Sequence, residues 1–129
     1  MKTAYVDTSC LGAIAFDERN SAAVQRRLAS FDELVAAPLL EAELRAALRR
    51  EGSQGSLPLD ELLEPIVWIA AERALSAEIA TVLAAGYVRG ADCWHLATAL
   101  YFSPEPSDIS FLTLDVQQGA VARALGFGR

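Results

Sequence analysis

Lysine is almost absent from this chain: ten of its eleven basic residues are arginines, and the only lysine is Lys2, ahead of the first apolar run. Aspartate-nucleophile phosphatases and phosphoacceptor receiver domains both rely on a lysine, so both classes lose support, and with them a covalent phospho-aspartate. Histidine is also single, at His95, which leaves a nitrogen-rich zinc site short of ligands. The two cysteines, Cys10 and Cys93, form neither a CxxC pair nor a disulfide framework, and a reduced cytoplasm is their simplest compartment. No apolar stretch reaches the roughly 18 residues of a membrane span, and no basic segment precedes a cleavage-like site. The expectation is therefore a soluble, cytoplasmic protein without a membrane partner. GxxxxGK[ST] and GxGxxG are missing too, so a nucleotide-binding reading lacks its phosphate cradle. Seventeen acidic residues against eleven basic give a net charge of −6, which is unsuited to coating nucleic acid by bulk electrostatics but does not exclude a nuclease.

Apolar material, by contrast, is plentiful. Of the 129 residues 53% are hydrophobic, enough for one domain (1–129) around a single buried core. Residues 4 to 6 and 109 to 114 lack the alternation of half-solvated strands and read as strands covered on both faces, as in parallel sheets. A short strand is expected at 34 to 36, while 66 to 69 suits a strand or a helix. Helical signals mark 22 to 31, 38 to 51, 58 to 64, 76 to 85, 90 to 102 and 116 to 125, the last stopped by Gly126. Loops are expected at 52 to 56 and 103 to 108. Strands alternating with helices imply an α/β sandwich, whose ligands bind outside the carboxyl ends of the strands.

Both covered strands stop on a carboxylate: AYVD at Asp7 and FLTLD at Asp115. Each is placed either to cap the following helix or to serve a site. Asp92 lies in RGADCWHLATAL, a helix whose other polar or weakly polar residues are only Cys93, His95 and Thr98. Such a helix is buried, and a buried carboxylate must be paired, neutralised or metal-bound unless it caps the first turn. In PLLEAELRAALRRE the apolar face is Leu40, Leu44, Ala47 and Leu48, with Glu41 and Glu43 flanking it on opposite sides. Glu41 has Arg45 and then Arg49 at four-residue spacing, an ordinary solvated ion-pair stripe. Glu43 has Ala47 there, which makes it the better ligand candidate.

With YVDTS at 5 to 9, EAELRAAL at 41 to 48, RGADCWHLATAL at 89 to 100 and FLTLD at 111 to 115 followed by AVARALGF, the sequence resembles the PIN-domain ribonucleases and, among them, the VapC toxins of toxin–antitoxin pairs. The resemblance implies a PIN-like α/β/α sandwich with a small parallel sheet flanked by helices. It implies an acidic site of Asp7, Glu43, Asp92 and Asp115, with the Ser9 and Thr113 hydroxyls nearby. Four clustered carboxylates stay ionised only beside cations, and Mg²⁺ or Mn²⁺ suits such an all-oxygen site. The implied activity is hydrolysis of RNA to 5′-phosphate and 3′-hydroxyl ends. The implied partners are a cognate antitoxin, which inserts an arginine or lysine among the carboxylates, and a second copy in a homodimer. A PIN nuclease that processes RNA without a toxin role, or a catalytically silent PIN binding module, are the alternatives. Because GFGR closes the sequence, the final edge strand of many relatives is expected to be short or missing.

Other residues carry paired readings. His95, three positions after Asp92, is a packing histidine or else a ligand or proton shuttle. Cys10 and Cys93 are buried thiols or approach one another near the site. Trp68, Trp94, Tyr87 and Tyr101 are core aromatics or platforms for RNA bases. Arg45, Arg49, Arg50 and Arg89 contact phosphates or belong to a solvated face.

Overall fold

Why residues 4 to 6 do not alternate is visible in the first strand, β1 (Thr3–Val6), of the computed structural model, which describes residues 1–52 and 57–129. Ala4 and Val6 enter one hydrophobic cluster and Tyr5 enters another on the opposite face, and all three are fully buried. With apolar contacts on both sides, no position favours a polar residue. β1 pairs in parallel with β2 (Glu33–Ala36) on one side and with β4 (Ser110–Leu112) on the other, and β2 pairs in parallel with β3 (Ile66–Trp68). The order is β3-β2-β1-β4. The ambiguous stretch at 66 to 69 is thus an edge strand: Ile66 is buried while Val67 and Trp68 are exposed. The strand expected at 109 to 114 is shorter, because Thr113 already belongs to the turn leading into the last helix. A further strand on the β4 edge is reduced to one parallel bridge, Ser110 with Gly128.

Helices α1 (Thr8–Ala15), α2 (Ser21–Ala29), α3 (Leu39–Glu51) and α4 (Leu59–Leu63) supply the cluster around Ala4 and Val6. Helices α5 (Ser76–Ala85), α6 (Gly90–Phe102) and α7 (Val116–Leu125) supply the cluster around Tyr5. The architecture is the α/β sandwich with a small parallel sheet. α1 shows no periodicity in the sequence because Cys10, Leu11, Ala13, Ile14 and Ala15 are buried almost all round it. α2 starts at Ser21 and ends at Ala29, short of the expected residue 31, and residues 103 to 108 hold a 3-10 turn at Pro106–Asp108. α7 stops at Gly126, whose φ of +104° is the left-handed cap expected of glycine. Of the loop expected at 52 to 56, residues 53–56 lie outside the described residues; Gly52 caps α3. Among the described residues no helix is long and apolar enough to cross a membrane.

Candidate active site

The strand order changes direction at β1. From there the chain builds outward to β2 and β3, and then returns to place β4 on the other flank. The crevice at the carboxyl ends of β1 and β4 is therefore the topological switch point, where open α/β sheets bind ligands. Asp7 and Asp115 follow those two strands directly, and the Asp7 N–H joins them by donating to the Leu112 carbonyl at 2.9 Å.

Both aspartates are helix caps. Asp7 Oδ2 accepts the Ser9 N–H at 3.1 Å at the start of α1, and Asp115 Oδ1 accepts the Gln118 N–H at 2.7 Å at the start of α7. The cap and the site are thus not alternatives, because capping occupies one carboxylate oxygen and leaves the other. In Asp7, which is only 5% exposed, that second oxygen stands 3.9 Å from His95 Nε2.

Glu43 is on α3 and, contrary to the expectation from its helix, has partners. Its Oε1 accepts the Thr8 hydroxyl at 2.8 Å and the Nε2–H of His95 at 2.6 Å. His95 has no exposed surface, and its Nδ1 lies 2.7 Å from the Tyr5 hydroxyl, which accepts the Ala37 N–H at 3.0 Å. Nε2 donates to Glu43 whether the ring is neutral or charged. Only the Tyr5 bond reverses: the hydroxyl donates to a neutral ring and accepts from an imidazolium. Burial alone would raise the Glu43 pKa, but the bonds from His95 and Thr8, with the attraction of His95, hold it below the ordinary glutamate value. His95 is as buried as a packing histidine, yet it ties Glu43 to the floor of the sheet. Thr8 and Tyr5 belong to the same group and escaped sequence reasoning, although both lie within two positions of Asp7.

Asp92 sits in the first turn of α6 without capping it. Its pKa is raised first by burial, then by the charges of Asp7 and Asp115, with a smaller push from Glu43 and opposition from Arg89. Four carboxylates from four elements thus share one field. Among the described residues no three acidic, histidine or cysteine side chains are grouped closely enough to hold a metal ion as they stand. The donor set is nevertheless hard oxygen, with Arg89 opposing the acids at Asp92, and this chemistry fits Mg²⁺ or Mn²⁺.

Ser9 and Thr113 lie between the aspartates. Ser9 Oγ accepts the Leu114 N–H at 3.0 Å and lies 3.3 Å from Thr113 Oγ1, which accepts the Asp115 N–H at 3.1 Å. The Thr113 hydroxyl is 2.7 Å from Gln118 Oε1 and 3.2 Å from Asp7 Oδ2, so its single proton serves one acceptor at a time, with the shorter contact to Gln118. Gln118, fully buried, also donates to the Asp92 carbonyl at 3.3 Å and so links α7 to α6. Sequence reasoning missed Gln118. The signal was its place three residues after the Asp115 cap, where a capping box puts Glu or Gln; here the side chain turns to the site.

Cys10 and Cys93 lie in the clusters on opposite faces of the sheet. Both are buried free thiols, with that of Cys10 pushed up to about 12 mainly by burial. Arg45 is taken by Glu41 at 2.7 Å and Asp60 at 3.1 Å, and Arg50 by Glu51 at 3.1 Å, both in exposed pairs. Trp94 and Tyr101 pack partly buried against the core, whereas Trp68 and Tyr87 are exposed.

No curated protein matches this chain. The family model of the PIN domain matches residues 4–124, from β1 through α7, a span that includes all four carboxylates. With a match over nearly the whole chain and a small parallel sheet between helices, with Asp7 and Asp115 at its strand ends, the chain belongs to the PIN-domain family.

Proposed function

We propose that the protein is a metal-dependent endoribonuclease, the toxin of a toxin–antitoxin pair of the VapC kind, acting in the cytoplasm as a homodimer and inhibited by a cognate antitoxin. The nuclease part of this reading is supported by the field at Asp92, where burial and the charges of Asp7, Asp115 and Glu43 concentrate negative charge beside the ends of β1 and β4. Asp7, Glu43, Asp92 and Asp115 hold the cation. Bound there, Mg²⁺ or Mn²⁺ supplies charge neutralisation and activation of water for attack on an RNA phosphodiester. The protein's share is orientation. Capping bonds fix Asp7 and Asp115, the Tyr5–His95 pair and Thr8 fix Glu43, and Gln118 holds Thr113 between the aspartates. Ser9 and Thr113 present hydroxyls beside the reacting phosphate. In the inhibited complex an antitoxin arginine or lysine takes the cation's place.

Purified protein incubated with total RNA should cleave it in Mg²⁺ or Mn²⁺, stop in EDTA, and leave 5′-phosphates on mapping of the new ends. RNA left intact in either metal would sink the nuclease reading. Cleavage by a protein whose expression leaves growth untouched would favour RNA processing over a toxin.

Glu41 and Glu43 separate by calorimetric titration with Mn²⁺. Loss of outer-shell partners costs about 10–100-fold in metal affinity, and Glu43→Gln, which removes a direct ligand, should cost at least that. Glu41→Gln should leave Mn²⁺ binding unchanged and disturb only its exposed pair with Arg45. Equal losses would remove Glu43 from the site.

A further inference from the structure

A polyanion approaching four carboxylates needs cations along its path, and in a chain of net charge −6 three arginines gather beside the sheet edge. Between α2, the outer edge of β4 and α7 runs a groove of about 370 Å³. Arg27, Arg123 and Arg129 line it, no aspartate or glutamate does, and Leu28, Phe111 and Ala122 give it an apolar floor. Among the described residues, arginines with an aspartate or glutamate carboxylate within 4 Å are Arg45, Arg50 and Arg73; Arg123 has none, and Arg27 is met instead by the main-chain oxygen of Arg129. Their guanidinium groups are nonetheless positioned. Arg27 lies 4.9 Å over the Phe31 ring and donates to the Arg129 carbonyl. A Cβ built on Gly119 would meet Arg123 Nη1 at 3.5 Å and Thr113 Cγ2 at 3.6 Å, so the Arg123 guanidinium and the Thr113 side chain border the same small space. Thr113 lines the groove and its hydroxyl lies 3.2 Å from Asp7 Oδ2, so one end of the groove adjoins the carboxylates.

We infer that this groove is the track of a single RNA strand, with Arg27 and Arg123 holding the backbone phosphates that flank the scissile bond; the assignment rests on the ribonuclease reading above. The arginines supply charge without reading sequence, and the apolar floor receives a base or ribose. A peptide adding a strand to β4 fits less well, since that edge is already engaged: the Phe111 N–H donates to the Gly128 carbonyl at 2.8 Å and the Gly128 N–H to the Ile109 carbonyl at 3.0 Å.

The test is fluorescence anisotropy with a labelled single-stranded oligoribonucleotide in EDTA over a salt series. The double variant Arg27→Ala, Arg123→Ala should bind about tenfold more weakly, with the slope of log K against log salt reduced by about 1.4, roughly 0.7 for each phosphate no longer neutralised. Because Arg27→Ala also removes the packing on Phe31, Arg123→Ala alone, an exposed change, serves as the second variant and should lower the slope by about 0.7. Arg50→Ala, whose partner is Glu51, should bind as wild type does. Unchanged affinity and slope in both groove variants, with wild-type cleavage intact, would overturn the groove assignment alone and leave the groove to an acidic peptide. A wild-type protein that neither binds the probe nor cleaves RNA with metal would overturn the ribonuclease reading and the groove together.

Discussion

Asp92→Asn should reduce RNA hydrolysis by about 10²–10³-fold or more while making the metal-free protein harder to melt. The first effect follows from removing one of the charges that hold the cation, at a point where Asp7, Asp115 and Glu43 already act together. The second follows from the sign of the pKa shift. Burial, followed by the neighbouring charges, raises the folded-state pKa of Asp92, so the ionised carboxylate is disfavoured in the folded protein. The stability linked to this group is present below its unfolded pKa and is lost as pH rises through the folded value. Asparagine carries no charge to penalise, and Asp92 makes no capping bond, so only the weaker attractions of Arg89 and of the α6 N-terminus are given up. In EDTA the advantage of the variant should therefore be greatest near neutral pH and shrink as pH falls through the carboxylate range. Added Mn²⁺ should reverse the order, because only the wild type gains the full stabilisation of a bound ion. Thermal melts with and without Mn²⁺, beside a cleavage assay, measure all of this. A variant that melts earlier and still cleaves would make Asp92 a structural residue.

His95→Ala should cost about 3–5 kcal/mol of stability, as for other large buried rings cut to alanine, because it leaves a cavity and takes one partner each from the Tyr5 hydroxyl and Glu43. Urea unfolding in EDTA reads that loss. Stability alone does not distinguish a filler from a positioning residue, and Tyr5→Phe does. It keeps the ring and its stacking on Phe111 at 5.2 Å, but it removes the hydroxyl that orients His95 and satisfies the Ala37 N–H. The expected cost is about 1–3 kcal/mol, together with a fall in Mn²⁺ affinity of about 10–100-fold transmitted through His95 to Glu43. If Tyr5→Phe binds Mn²⁺ as tightly as wild type, the hydroxyl plays no part in positioning Glu43.

Much of the fold and part of the candidate site were legible because they are encoded locally. An apolar run without alternation marks a strand covered on both faces, an aspartate at its end marks a cap, and a glycine after an apolar helix marks its stop; β1, Asp7, Asp115 and Gly126 each follow from a few neighbouring residues. α1 was hidden by the same logic, since a short helix buried almost all round leaves no periodic trace. Where the signal depended on a partner distant in sequence, it failed. Glu43 read as unpartnered because nothing suitable stands four residues along its helix, yet its partner is His95, 52 residues away, which in turn meets Tyr5 at a separation of 90. Cys10 and Cys93 each follow an acid closely in sequence and still face opposite cores. The sequence by itself determined that residues 4 to 6 form a strand covered on both faces and that a carboxylate follows each of the two covered strands, Asp7 after β1 and Asp115 after β4. The tertiary structure alone decided that β4 returns beside β1, that Gln118 reaches Thr113 and Asp92, and that Glu43 is held through His95. Periodicity and capping act over a few residues, whereas the meeting of distant side chains depends on strand order and register, which hydrogen bonding and packing settle only when the whole sheet forms.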